Sequence, residues 1–577
     1  MPNLHREGAF VAKGWVSRWD LVLLPLVIGI FFALAWAASH TPPGDYAGAN
    51  STLSLDPALL PLYAVKTTLR MACALVVSFV FTIVVGTWAA KSQRAEKVLI
   101  PLLDIGQSVP ILGYLPFALL WVAKYLPDPM WSAEIAAVFA IFTSQVWNMT
   151  FSYYQSVKLQ PKDLTQAAAV FQLTRWQRFR RLEFPHAIPQ LIWNTMMSVS
   201  GGWFFVVAAE AITVSNHRVL LPGIGSYISV AITHRDLTAI GWAILTMCVV
   251  IMLYDQLAFR PLVAWAEKFN PSAVRGEEPR SWALDLWRRS GLVASLGRLL
   301  ERAGERMRRR RMARARPPVR EHARVARLSP RLGETGWSLL LGAAAVVTVV
   351  FLAHYILSDV GVGEVGRVFL LGFYTLVRVV AVVLLASLLW VPIGIWIGLR
   401  PKWARRAQPF VLLLAAFPAN LLFPLVVIAI IALRGNAEIW LSVLMVIGAQ
   451  WYILFNVIAG ARQIPGELRE VADNFGLRGW RRWRRLYLPA VLPAFVTGGL
   501  TATGAAWNAS IIAEIASWGG HTLVAKGVGS YITVQSIAGD QPRLVLGIAV
   551  MTIYVLLMNR LIWSRLYRLA ARRYAGA

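Results

Sequence analysis

Four ionisable side chains inside long apolar runs stand in matched positions: Arg70 and Arg378 are 308 residues apart, and Glu210 and Glu514 are 304 apart. Each arginine follows a threonine by three residues (Thr67, Thr375), and each glutamate follows a tryptophan by seven (Trp203, Trp507). A charge at membrane depth costs about 2.5 to 3.5 kcal/mol on an insertion scale, so its retention in duplicate calls for a partner or a pathway. Two readings are open. In one, an internal Arg–Glu pair fixes helix packing. In the other, Arg70 and Arg378 offer positive charge to an anionic solute, while Glu210 and Glu514 orient them or form part of a gate. Trp203 and Trp507, about two turns from the glutamates, line or close that pathway, or make core or lipid contacts. No nucleophile motif, clustered carboxylates or His/Cys/Asp metal set is found, nor is a Gly-x4-Gly-Lys-Ser/Thr phosphate loop. The residues therefore predict no catalytic group, no metal and no cofactor held by this chain.

The elements that must hold these residues are membrane helices. The chain has 577 residues, 57% hydrophobic and 15% charged, with mean hydropathy +0.56, too apolar for a soluble fold. Apolar runs of about 20 residues begin near Leu21, Thr68, Leu99, Trp131, Leu191 and Leu237, then near Trp337, Tyr374, Pro409, Ile439, Val491 and Leu544. No alternating barrel pattern interrupts them, which predicts an all-α polytopic protein of six spans plus six. The net charge of +28 follows the positive-inside rule. Lys and Arg gather in the N-terminal tail, after the second span, in two internal loops, between the halves and from Arg560 to Arg573, all on one side if both termini are cytoplasmic. The loop His40 to Tyr63 on the other side has neither. Nucleic acid is not needed to explain the charge. Cys73 and Cys248 fall inside predicted spans, too few for a disulfide framework or metal site. The first apolar run has no small-x-small cleavage site and is expected to remain as a span.

The matched residues belong to a duplication. Residues 161–189 read PKDLTQAAAVFQLTRWQRFRRLEFPHAIP, and residues 465–493 read PGELREVADNFGLRGWRRWRRLYLPAVLP, without a gap at a shift of 304. The register continues through Gly223-Ile224-Gly225-Ser226-Tyr227 and Gly527-Val528-Gly529-Ser530-Tyr531. Upstream the shift is 308, as in Pro110 and Pro418 or Pro116 and Pro424, so the second copy lacks four residues, expected between its third and fourth spans. With an even number of spans in each half, the copies are parallel repeats. The predicted organisation is a cytoplasmic tail (1–19), a first half (20–264), a basic connector (265–335) and a second half (336–577). The connector holds Trp282, Leu284, Leu286 and Trp287, a candidate surface helix, and the tract Arg306 to Arg311. Gly223, Gly225, Gly527 and Gly529 are expected to permit a tight re-entry of the chain.

Both duplicated loops have a polar entry, a helical run, a basic aromatic cluster and a proline before the next span, which predicts a short helix across the membrane surface between rigid corners. Glu470-x-Ala472-x3-Gly476-x9-Leu486-x-Leu488-Pro489 resembles the EAA loop of ABC importer permeases, whose coupling helix docks on an ATP-binding subunit. The first copy departs from the pattern: Gln166-Ala167-Ala168 replaces Glu-Ala-Ala, Gln172 replaces the glycine, and Phe184 precedes Pro185. The Trp-x6-Glu stretches and the Gly-x-Gly-Ser-Tyr-Ile runs are similar to permeases of the nitrate, taurine and alkanesulfonate class, which usually pair as separate chains and here look fused.

The resemblance implies a type I importer permease fold and assembly with two ATP-binding subunits, which carry the ATP and Mg. It also implies a periplasmic solute-binding protein in many cases, a bacterial inner-membrane location and transport of a small anionic solute by alternating access. The chain itself is then a transport subunit and not an enzyme. The coupling residues it implies are Gln166, Ala167, Ala168, Gln172 and Pro185 in one loop and Glu470, Ala472, Gly476, Leu488 and Pro489 in the other. A fused ferric iron or polyamine importer permease is the alternative within the family; an ion-coupled secondary transporter is the alternative outside it.

Overall fold

The computed structural model describes residues 53–126, 128–214, 217–266, 269, 330–518 and 521–574. Among them, eight helices are long and apolar enough to cross a hydrocarbon core, and ten if each of two bent pairs is one span. The expected first span from Leu21, the N-terminal tail and the candidate surface helix of the connector lie outside the described residues. The helix Pro330–Asp359 covers the predicted run near Trp337.

The bends have a local cause. In the first half, the helices Gln93–Ser108 and Ile111–Tyr125 meet at 97°; in the second, Pro409–Ala416 and Ala419–Ala432 meet at 78°. Pro110 and Pro418 sit at the corners, and the residues before them, Val109 and Phe417, are extended, as a following proline ring demands. The four-residue difference is found just beyond: Ala133-Glu134 matches Ala437-Glu438 at 304, so the segment after Tyr125 is longer than its counterpart after Leu433.

Alanine decides how closely the helices approach. Ala133, Ala136, Ala137 and Ala140 on the helix Pro129–Lys158 are each fully buried, small side chains of the kind that let membrane helices approach closely. On the helices Leu60–Lys91 and Val362–Gly398 the outward stripes Val76, Val80 and Val84 and Leu384, Leu385 and Leu388 stay exposed, as lipid-facing surface does. The halves pack on each other in a crossed manner. The Ile111 N–H donates to Asn508 Oδ1 at 2.8 Å, and Asn420 Nδ2 donates to the Phe204 carbonyl at 3.5 Å. Asn508 and Phe204 occupy matched positions, so matched segments of the two copies meet, though a side chain accepts in one bond and a backbone carbonyl in the other.

Two small hairpins interrupt the helices. Ala211–Val214 pairs antiparallel with His217–Leu220, and Ile515–Trp518 pairs with His521–Val524, again 304 residues apart. The sequence predicted only tight re-entry here. The hairpins join the helix Phe184–Glu210 to Ile224–His234, and Leu488–Ala513 to Val528–Ala538. Since 27 residues of helix span about 40 Å, each hairpin lies a membrane's thickness from the coupling loop that starts the same helix.

Candidate functional site

Three places answer to the sequence candidates: a buried charge cluster beside each hairpin, a short surface helix at the opposite end of each half, and a cavity between the halves.

In the first cluster Arg70 is 4% exposed and Glu210 is wholly buried. Arg70 Nη1 donates to Glu210 Oε1 at 2.7 Å and to the Pro222 carbonyl at 3.0 Å. Its other edge forms a two-pronged contact with Glu134, Nε to Oε2 at 2.7 Å and Nη2 to Oε1 at 2.6 Å. The Thr67 hydroxyl donates to Glu210 Oε1 at 2.7 Å and accepts from the Ile224 N–H at 3.1 Å, while the Gly225 N–H donates to Glu210 Oε2 at 2.7 Å. The second half rebuilds the arrangement. Arg378 donates to Glu514 Oε1 at 3.0 Å, to the Lys526 carbonyl at 2.9 Å and, in a very short contact, to Glu438. Thr375 and the Gly529 N–H bind Glu514 at 2.7 and 2.8 Å. A buried pair of this kind is tolerable because nearly every donor and acceptor is used, and removing one partner strands the other in a dry place.

Gly223 and Gly527 are extended, so backbone strain does not select glycine there. Space does. A Cβ at Gly223 would lie 2.3 Å from Glu210 Oε1, and one at Gly527 2.1 Å from Glu514 Oε2. Each carboxylate sits where a side chain would otherwise be. Sequence reasoning found the arginines, threonines and inner glutamates but missed Glu134 and Glu438; the signal was the Ala-Glu match at 304, hidden because the arginines still run at 308. It also missed Lys66, a buried lysine one turn before Arg70 whose match at 308 is Tyr374.

At the other end, the surface helices are Lys162–Val170 and Gly466–Asn474. Gln172 (φ 47°) and Gly476 (φ 64°) both end them in the left-handed region. The Leu173 N–H reaches the Ala168 carbonyl at 3.0 Å and the Leu477 N–H reaches Ala472 at 2.9 Å, the wrap-around cap that closes a helix on such a residue. Ala168 and Ala472 are buried under it. Phe171 and Phe475 point outward, 76% and 78% exposed. Gln166 and Ala167 are exposed, as is Glu470. Widened π turns, Phe179–Glu183 and Trp483–Tyr487, then run into Leu488 and Phe184 ahead of Pro489 and Pro185. The widening accommodates the proline ring, which would clash with the carbonyl one turn back in a regular helix.

The cavity has about 30 Å³ of water-accessible volume, enough for roughly two waters. The first half contributes Ser200, Gly201, Phe204 and Phe205, and the second contributes Phe417, Trp451 and Tyr452 among others. No Asp, Glu, His, Lys or Arg lines it, and Arg70, Arg378, Glu210, Glu514, Trp203 and Trp507 stand elsewhere. Both tryptophans are 1% exposed, and Trp507 stacks on Tyr554 at 6.4 Å between ring centroids.

Known proteins are similar to this chain in sequence. The chain is 21% identical to the bicarbonate transport system permease protein CmpB of Synechococcus elongatus over 274 residues, 44% of this chain and 92% of that protein. It is 26% identical to the nitrate import permease protein NrtB of Synechocystis over 201 residues, 34% of this chain and 68% of that protein. The glycine betaine/proline betaine transport system permease protein ProW of Escherichia coli is 27% identical over 203 residues, 35% of this chain and 54% of that protein. Each alignment takes up less than half of this chain, as expected if one relative corresponds to one copy of the repeat. The family described as the inner membrane component of binding-protein-dependent transport systems matches twice, at residues 82–258 and 390–576, and it is to this family of ABC importer permeases that the chain belongs.

Proposed function

We propose that this chain is a fused pair of permease halves that moves a small anionic solute, of the nitrate, bicarbonate or sulfonate kind, across the bacterial inner membrane with ATP-binding subunits docked on its two surface helices. The observation that carries the reading is the pair of capped helices with outward Phe171 and Phe475, each leading into one long helix that also forms a wall of the central cavity. The helix Phe184–Glu210 begins at the loop, presents Ser200, Gly201, Phe204 and Phe205 to the cavity, and ends in the Arg70 clamp. A push at its start is carried rigidly to the cavity wall, while the clamp holds the far end. Leu488–Ala513 does the same with Ala505 and Ala509. Two such rods moving against each other supply alternating access, with both termini on the side of the surface helices. The clamped arginines serve as structural pivots rather than as solute contacts, since their hydrogen-bonding edges are taken by Glu134, Glu210 and their counterparts.

The solute class is supported by the relatives named for nitrate and bicarbonate. A cavity without a fixed cation suits it, because weak neutral contacts let an ion leave as readily as it enters. The test is uptake into proteoliposomes holding this chain and its ATP-binding subunits, with nitrate and bicarbonate offered separately. ATP-dependent uptake of either is expected; uptake driven by an ion gradient with no ATPase present would overturn the reading.

A further inference from the structure

The two surface helices are matched in position and unlike in chemistry. By sequence Lys162–Val170 carries one lysine and one aspartate and is neutral, whereas Gly466–Asn474 carries one arginine against Glu467, Glu470 and Asp473, a net charge of −2. At the matched positions Gln166 stands where the second copy has Glu470, and Ala169 where it has Asp473.

The arginine that follows each helix is wired differently. Arg482 forms a forked pair with Asp473, Nη1 to Oδ1 at 2.5 Å and Nη2 to Oδ2 at 3.4 Å, and lies 5.4 Å over the Tyr487 ring. It thus ties the second surface helix to the π turn leading into Leu488–Ala513. Its counterpart Arg178 has only Ala169 on the helix and turns to Glu183, at 3.0 Å, which also binds Lys91 at 2.8 Å. That pair ties the π turn to the end of the helix Leu60–Lys91 rather than to the first surface helix, while the Thr174–Gln177 capping box starts the short helix Arg175–Arg178 that follows.

We infer that the two docking sites are not equivalent: the second takes a nucleotide-binding subunit whose cleft has a basic rim and transmits its movement through Asp473 and Arg482, and the first takes an uncharged, apolar cleft around Phe171. The inference rests on the reading that ATP-binding subunits dock here. The shared feature, an outward phenylalanine at both sites, provides a common apolar anchor. The first helix has the single exposed carboxylate Asp163, balanced in sequence by Lys162, whereas the second exposes Glu467, Glu470 and Asp473 against one arginine, and this excess makes its grip electrostatic and therefore sensitive to salt.

The test uses the full chain purified with its ATP-binding subunits, with Cys73→Ser and Cys248→Ser as background and either Phe171→Cys or Phe475→Cys added for crosslinking to the partner. Raising salt from about 50 to about 500 mM is expected to cut the yield from the Phe475→Cys chain about fivefold and that from the Phe171→Cys chain less than about twofold. Adding Glu470→Gln with Asp473→Asn should bring the salt response of the second site to that of the first. An equal response at both sites, or no effect of the double neutralisation, overturns the inference and leaves the importer reading intact. Absence of crosslinks to an ATP-binding subunit at both sites, at low salt, overturns both.

Discussion

Arg70 is engaged by two carboxylates and a carbonyl inside 3.0 Å, so its loss is expected to act first on assembly. Arg70→Ala strands Glu210 in a dry site and should cost about 3 to 5 kcal/mol, seen as a lower thermal midpoint and less assembled complex. Arg70→Lys keeps the charge but lacks the planar fork and should recover only part of the loss. Normal assembly with abolished uptake would instead make Arg70 a solute contact. Gly527→Ala should be costly for the reason that made its role hard to read: a methyl there meets the Glu514 carboxylate at 2.1 Å, and the overpacking is worth about 1 to 3 kcal/mol in the same midpoint. An unaltered midpoint would mean that the carboxylate has room to withdraw. At this scale the sequence exposed the charges because ionisable groups are rare in apolar runs. It concealed Glu134 and Glu438, since four residues are lost between the arginine and its partner in the second copy. It concealed the space behind each glycine altogether, because the carboxylate that fills it comes from an element 13 residues away along the chain.

The surface helices offer a comparison of one backbone shape with two residues. Gln172 and Gly476 share the left-handed conformation, which a side chain disfavours by about 1 kcal/mol. Gln172→Gly should stabilise the first cap and Gly476→Gln should loosen the second. Amide exchange checks both, because the Leu173 and Leu477 N–H groups are protected only while the caps hold. About 1 kcal/mol corresponds to roughly fivefold slower exchange at Leu173 and fivefold faster at Leu477. Equal rates before and after would show that docking surfaces rather than backbone preference set the caps. Element positions were legible where local rules are strong: the loop pattern placed both surface helices, whereas Pro110 and Pro418 were read only as matched positions and the runs from Leu99 and Pro409 as unbroken spans. The hairpins were not legible, because four-residue strands such as Ala211–Val214 are too short to show an alternating pattern.

For the molecule as a whole, the repeat announced two parallel halves, and these halves pack directly on each other. The crossed hydrogen bonds at Asn508 and Asn420, the stacking of Trp193 on Phe455 at 5.8 Å and the cavity shared by Tyr452 and Gly201 come from residues distant in sequence from the connector. The halves therefore have their own reasons to associate, and the covalent link mainly raises their local concentration. Cutting the chain within residues 280–320 and expressing both pieces together should yield a complex that copurifies with the ATP-binding subunits and keeps ATP-dependent uptake. Asn508→Leu in the split form should then weaken copurification more than it does in the intact chain, because the link no longer compensates for the lost bond to the Ile111 N–H. Pieces that fail to copurify would assign the connector a share of the interface, and pieces that copurify but no longer take up solute would assign it a part in coupling.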